Sequence, residues 1–524
     1  MTMVRLSFRA LVVCGALLGA APWASGQVEV AKFAASGGAQ ELGRSVSISD
    51  DRLVAGAPYY VDPTLLGYSG AAYVFERQSD GTWMETAKLV PNAGGQNFYF
   101  GHSAAIDGDR LVVGVSRQGK SKSAYVYERQ SDASWSLVAV LQPGDDSVTA
   151  PNQGFGHAVS ISGDRVVVGD PGKWHLLLGV NVGAAYVFER QSDGTWPEVA
   201  KLQAGDAANY DELGWSVAIS GERVLAGAHY SGGIFTGSGV FGAAYVFERH
   251  AITGAWSEAQ KLEASDESPG DQFAHSVSMS GDRLAIGAVG NDDLGSDSGS
   301  AYVFERQGGA WVEVAKLLAS EGATSGAFGS ILSLSGHRLA VGAVVGGNLY
   351  MFERQADGSW PEVATLKASD YGSPVFPSAV SVDSGRLVVS DWHSGGSNSG
   401  VAYVFDYCAT IYGQGCPGST PLTPRLNVSC PSLGGTVQVD IFHQIAAANV
   451  FLFLGTSQAS LPMGAGCYLN VVPAAGPIGP LPLSFSATIP ANAPLVTVML
   501  QAFLEDGAAP TGFSSTNGVV LPIQ

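Results

Sequence analysis

Seven near-copies of one hexapeptide, AYVFER, punctuate most of this chain and require a fold built from repeated units. They begin at Ala72, Ala124 (AYVYER), Ala185, Ala244, Ala301, Leu349 (LYMFER) and Ala402 (AYVFDY). The tyrosine-to-tyrosine steps are 52, 61, 59, 57, 48 and 53 residues, so a constant core is interrupted by loops of varying length. Self-similarity on this scale marks a repeat architecture.

Each unit reads as four short strands, clearest from Phe155: FGHAVSIS (Phe155 to Ser162), RVVVGDP (Arg165 to Pro171), AYVFER, then WPEVAKL (Trp196 to Leu202). All four are apolar or β-branched runs bounded by turn residues. Two-residue turns (Gly108-Asp109, Gly163-Asp164, Gly221-Glu222, Gly281-Asp282) join the first strand to the second and enforce tight antiparallel hairpins. A short QSDGT-type loop (Gln78 to Thr82, Gln191 to Thr195) joins the third to the fourth. Tight hairpins exclude a parallel solenoid and leave an up-down four-stranded sheet, the blade of a β-propeller. The seventh unit lacks a fourth strand, yet an unattached copy, EVAKF, stands at Glu29 to Phe33. The expected fold is all-β: a seven-bladed β-propeller over 27–407, closed by the N-terminal strand, followed by a small β-sandwich-like domain over 408–524. Closure removes an open sheet edge.

Phe-Gly at Phe100-Gly101, Phe155-Gly156 and Phe328-Gly329, followed by Gly-Ala-Pro at Gly56 to Pro58, resembles the FG-GAP repeat of integrin α-subunit propellers. The resemblance covers about Gln27 to Tyr407. It implies the propeller fold and leaves function open, because such propellers serve adhesion proteins, lectin-like proteins and a few enzymes. The integrin type binds calcium in DxDxDG loops between the first two strands of certain blades. Two-residue turns stand there in this chain, so no cofactor is expected.

The ends carry separate signals. Residues 1–26 combine Arg5 and Arg9, an apolar run from Ala10 to Ala21 and the small residues Ala24, Ser25 and Gly26, the pattern of a signal peptide. Cys14 follows Val13, where lipoprotein processing wants a small residue. No later run approaches the roughly 20 apolar residues of a membrane-spanning helix. The expected location is secreted or at the cell surface. A net charge of −19 argues against nucleic acid as a partner. Cys408, Cys416, Cys430 and Cys467 cluster after the last repeat and suggest two disulfides, with three pairings open. The tail resembles β-rich C-terminal modules of exported bacterial repeat proteins in YGQGCPGS (Tyr412 to Ser419) and GCYLNVVP (Gly466 to Pro473).

In an up-down blade, loops alternate between the two faces of the disc. The short joints fall on one face; the long, unequal joints, such as Tyr59 to Gly70, Gly172 to Gly183, Tyr230 to Gly242 and Gly290 to Gly299, fall on the other. Binding residues concentrate on variable loops held by a rigid scaffold. The candidates are Tyr59, Tyr60, Trp174, Tyr230, Phe235 and Trp392, which could stack on sugar rings or anchor a protein, with Asp170 and Asp391, which replace the alanine of the Gly-Ala slot. A carboxylate accepting loop N–H groups is the plainer reading of both aspartates. Asn291, Asp292, Asp293 and Asp297 offer oxygen ligands of the calcium type without EF-hand spacing. His102, His157 and His275 share one repeat position with Arg44, Trp215, Ser330 and Ser378; non-adjacent blades are expected to stand too far apart for one metal ion, and the three read as hydrogen-bonded structural histidines. The repeated tryptophans Trp83, Trp135, Trp196, Trp256, Trp311 and Trp360 read as packing between blades. No GxSxG, HExxH, P-loop or dinucleotide fingerprint is present. The expectation is a monomeric binding or adhesion module for a protein or glycan, without enzymatic activity. The rivals are a carbohydrate-active enzyme using Asp170, Asp391 and His229 or His393, and a structural envelope protein.

Overall fold

A computed structural model describes residues 28–406, apart from 37–40, 63–66, 92–97, 116–122, 146–153, 176–179, 233–239, 322–324, 345–346, 368–375, 384 and 394–398; beyond 406 it describes the backbone of the strands. Seven four-stranded antiparallel sheets follow one another. The first consists of Ser45–Ser49, Arg52–Ala57, Ala71–Arg77 and Trp83–Leu89, paired in chain order, and the next five repeat that order. The seventh contains Ala379–Asp383, Arg386–Asp391 and Val401–Asp406, and its fourth strand is Val28–Phe33. Glu29 pairs with Phe405 and Phe33 with Ala402, so the two ends of the repeat array share one sheet. The propeller is seven-bladed and closed by its N-terminal strand.

Local chemistry explains each strand. The third strand is buried along AYVF because neighbouring blades cover both its faces, which is why it reads as a continuous apolar run. The fourth strand is outermost and alternates between half-buried and exposed positions, as in Trp83–Leu89. The first strands are innermost. Gly108, Gly163, Gly221, Gly281 and Gly336 turn from first to second strand with φ between +56° and +58°.

Blades are joined by backbone contact at the FG and GAP glycines. A Cβ on Gly56 would stand 1.9 Å from the carbonyl oxygen of Gly101 in the next blade. The same approach joins Gly114 to Gly156, Gly169 to Gly214 and Gly287 to Gly329. Variants occur at three joints: Gly227 meets Ala274, Gly342 meets Pro377, and Ser390 meets Gly43 across the closure. Serine hydroxyls reinforce the joints, with Ser45 donating to Gly101 O at 3.0 Å, Ser103 to Gly156 O at 2.8 Å and Ser390 to Gly43 O at 2.6 Å.

A second ladder runs between the innermost strands. Ser47, Ser160, Ser278, Ser333 and Ser381 accept the backbone N–H groups of Ile106, Ile219, Leu334, Val382 and Ile48, and the last of these bonds crosses the ring closure. The ER of AYVFER has its own partner: Arg129 forks onto Glu76 at 2.8 and 2.9 Å, and Arg190 reaches Glu128 at 2.6 Å, each blade gripping the preceding one. The tryptophans pack at the same interfaces, where Trp83 stands 6.0 Å from Phe33 of the closing strand.

Beyond 406, the backbone forms further antiparallel strands, including Thr436–Phe442, Asn449–Gly455, Leu483–Thr488 and Val496–Glu505. Cys408, Cys416 and Cys430 lie outside the described residues, as does the segment 1–26; of Cys467 only the backbone is described.

Gly56→Ala places a methyl group against backbone that cannot rotate away, and it should destabilise by about 3 kcal/mol or more. Gly163→Ala, with nothing within 4 Å of the added Cβ, suffers only the left-handed φ and should cost about 1 kcal/mol. Urea unfolding of the two variants side by side checks the ordering.

Candidate functional site

The long loops enter and leave at the starts of the first and third strands and the ends of the second and fourth, so they share one face. Ion pairs anchor their bases. Asp206, in the loop between the third and fourth blades, accepts from Tyr245 Oη at 2.7 Å and Lys261 Nζ at 2.8 Å. Burial pushes its carboxyl up, yet those two hydrogen bonds outweigh burial and hold it below the ordinary range. Asp145 does the same one blade earlier, with Tyr186 at 2.9 Å and Lys173 and Lys201 at 2.7 Å.

On this scaffold, the loop residues singled out above fall into two groups. Tyr59, Trp174, Tyr230 and Trp392 are half-buried and retain surface toward solvent. Tyr59 packs edge-on against Tyr68 at 5.2 Å and Tyr99 at 5.3 Å. Trp174 pairs with Asn181 in a two-stranded ribbon, Trp174–His175 with Val180–Asn181, where the sequence suggested an irregular loop. The Arg44 guanidinium stands 5.5 Å from the Trp392 ring. Tyr60, Asp170 and Asp391 lie beneath that surface. Tyr60 is buried with Lys88 Nζ 3.5 Å from its ring centre. Asp170, fully buried, accepts the Gly154 N–H at 2.6 Å; Asp391 accepts the His393 N–H at 3.0 Å. Both carboxylates therefore brace loop backbone. Phe235 lies outside the described residues.

The calcium-type cluster is engaged within its own loop. Asp293 pairs with Lys316, Asp292 accepts the Asp297 N–H at 2.8 Å, and Asn291 accepts the Asp293 N–H at 3.3 Å. Among the described residues no group of three or more His, Cys, Asp or Glu side chains is arranged to hold a metal ion.

The shared histidine position is where the structure adds most to the sequence reading. Its residues stand at the start of the innermost strands, around the axis on the variable face. The histidines of non-adjacent blades do not converge on one point, and Trp215 stands between them. His102 lies 5.3 Å from His157, His157 4.5 Å from Trp215, and Trp215 5.9 Å from His275. His229, which follows the second strand of the fourth blade, fills the corner at 4.3 Å from Trp215 and 5.7 Å from His275. Tyr230 leans on it at 3.9 Å. One continuous arc of rings thus runs from the second blade to the fifth. The available signal was the repeat position itself, which differs in every blade while its neighbours do not; the joining role of His229 had no signal, because it comes from a different strand.

The FG-GAP repeat model matches residues 28–75, 83–127, 135–188, 196–247, 256–304 and 311–358, together more than half of the chain. The chain belongs to the FG-GAP repeat family. No curated protein matches it. Similar solved structures include a protein from Lactobacillus plantarum (14% identity, TM-score 0.43), a putative 6-phosphogluconolactonase from Bacteroides uniformis (11%, 0.42) and a periplasmic gluconolactonase from Pseudomonas aeruginosa (15%, 0.39). Each covers 62% of this chain and 85% of its own. The expectation of no enzymatic activity does not hold as a conclusion, because propellers serve both binding proteins and enzymes and the lack of a familiar catalytic motif excludes neither. The chemistry in those names is said of those proteins, and at such scores it is not carried over to this FG-GAP protein.

Burial pushes the His102 imidazole down to about 4, with the nearby Arg44 charge adding to the effect. Burial lowers His275 as well. Since the unfolded chain protonates near the ordinary 6.5 and the folded one near 4, stability is full above pH 6.5 and is lost as pH falls toward 4. His102 should titrate near pH 4 by NMR, and His102→Gln should flatten that part of the stability profile. A midpoint near 6.5 would show that the arc is hydrated.

Proposed function

We propose that this FG-GAP propeller is an extracytoplasmic, monomeric binding module whose ligand, a protein or a glycan, docks on the variable-loop face. The observation that carries this reading is the asymmetry of the disc. On one face, uniform short turns leave the same small surface in every blade, and Arg–Glu pairs lock neighbouring blades together. On the other, each loop differs, its base is held by Asp–Lys–Tyr anchors, and aromatic rings remain half-exposed. A rigid scaffold that carries chemically unequal loops on one side supports recognition on that side. The export signal of residues 1–26 and the net charge of −19 fit a partner outside the cytoplasm that is not a nucleic acid.

Tyr59, Trp174, Tyr230 and Trp392 are the contact residues in this reading, with Phe235 from the Tyr230 loop. Tyr60, Asp170 and Asp391 contribute by bracing the loops from below. The test is ligand capture by the full chain on a glycan array and from a cell-surface protein extract. Tyr230→Ala or Trp392→Ala should weaken the captured interaction about tenfold or more, the effect of deleting an anchoring aromatic. Ile252→Ser, at a 91% exposed turn position on the opposite face, should leave it unchanged. Loss with Ile252→Ser and none with the aromatic variants would place binding on the wrong face.

A further inference from the structure

The short-turn face is uniform in backbone, yet at one of its seven blade junctions the charge pattern of the others is broken. At each junction the arginine that opens a second strand reaches over the turn of the next blade, and the arginine that ends the next blade's third strand comes in beside it. Two carboxylates answer them, one from a third strand and one from that turn. Arg110 lies 3.3 Å from Glu128 and 3.1 Å from Asp164, while Arg190 reaches Glu128 at 2.6 Å. The turn contact recurs at 2.8 to 3.3 Å in Arg52 with Asp109, Arg165 with Glu222, Arg223 with Asp282 and Arg386 with Asp51. Between the sixth and seventh blades an acid and an arginine are lost together, because Gly385 takes the place of the turn acid and Tyr407 that of the strand-end arginine. The fifth-to-sixth junction alone loses the acid and keeps both arginines. Arg283 and Arg354 share Glu305 there, and His337 stands at the turn position.

We propose that this junction is a subsite for a single carboxylate, which enters where the other turns hold an aspartate or glutamate and accepts from Arg283 with His337 beside it. It lies on the face opposite the variable loops and is independent of the ligand proposed there. The ligand chemistry comes from the molecule itself, since five homologous arginines hold a carboxylate in that place, and the guanidinium fork suits one. Arg283 keeps their pose: its Nη1 donates to Gly336 O at 3.3 Å, as Arg110 does to Gly163 O and Arg165 to Gly221 O, each at 3.4 Å. The acids nearby are committed elsewhere, Glu353 to Arg338 at 3.5 Å and Asp357 to the Ser359 N–H and hydroxyl at 2.9 and 2.6 Å. Gly336 and His337 are exposed, so the place is open to solvent. Burial, then the charges of Arg283, Arg354 and Arg338, hold the His337 imidazole below its ordinary range despite Glu353; a carboxylate beside it would raise it. With a chain charge of −19, one carboxylate is admitted more readily than a polyanion.

The test follows the His337 ring proton and the Gly336 amide by NMR in the full chain, the former assigned by its loss in His337→Gln, during titration with acetate at constant ionic strength. Both signals should shift saturably, and acetate should raise the His337 midpoint. Arg283→Gln should weaken binding about tenfold, the effect of removing a hydrogen bond to a charged group. His337→Asp, which restores the residue type of the other turns and so keeps the fold, should abolish the shift at Gly336. Asp164→His should create a second site beside Arg110, seen as a new saturable shift at the Gly163 amide. N-acetyl-aspartate amide binding as tightly as acetate would identify a protein side chain as the ligand, and binding of acetate alone a free organic acid; both support the subsite. It would be overturned by no saturable shift at either signal, by affinity unchanged in His337→Asp, or by tighter binding of sulfate or hexaglutamate than of acetate. The variable-face reading stands or falls separately, on Tyr230→Ala and Trp392→Ala.

Discussion

Everything in this molecule depends on two backbones being able to touch. Where the second strand of one blade ends and the first strand of the next begins, glycines allow an approach that no side chain permits: a Cβ on Gly169 would stand 2.0 Å from Gly214 O, and one on Gly287 would stand 2.0 Å from Gly329 O. That contact sets the spacing between blades. The spacing in turn lets the third strand be buried on both faces, brings the serine ladder within hydrogen-bond reach and aligns each arginine with the glutamate of the preceding blade. At the closure the glycine is supplied from the other side, as Gly43 against Ser390, so the ring keeps its spacing with one partner exchanged.

The same contact shapes the variable face. Because the FG element is pinned at the start of the innermost strand, the residue that follows it is delivered to the axis in every blade. The joint glycines, the ladder serines and the Arg–Glu pairs are committed to holding the ring, while this position differs from blade to blade. Its freedom to differ brings imidazole, indole and hydroxyl groups together around one axis, and the rigid joint keeps their mutual distances fixed. Constancy and variation are thus divided within a few consecutive residues: Phe100 and Gly101 hold the blade, and His102 stands at the axial position against His157.

How much of this was legible in the sequence follows from the range of each interaction. The blade count, the hairpins and the closing strand were readable because AYVFER, the two-residue turns and the displaced EVAKF are local patterns, and Glu29 pairs with Phe405 as they imply. Asp170 and Asp391 were visible as breaks in a repeated slot, yet whether such a carboxylate faces a ligand or a loop N–H depends on the course of loops whose conformation the repeat does not encode. Tyr60 reads as a surface residue in the sequence, whereas Lys88, from the fourth strand, stands against its buried ring. His102, His157 and His275 do not converge on one point, as the blade count implies, whereas the contacts of Trp215 and His229 between the third and fifth blades depend on side-chain directions that a blade count does not contain. The FG-GAP family match covers the ring and is silent on these residues.

Hydrogen exchange of the full chain with and without a saturating ligand tests most directly whether the axial end of the inner strands is the binding face. Slowed exchange is expected at 99–102, 154–157, 212–215 and 272–275, with none at the opposite turns 108–109, 163–164, 221–222 and 281–282. Protection confined to those turns, or spread evenly over the blades, would contradict it.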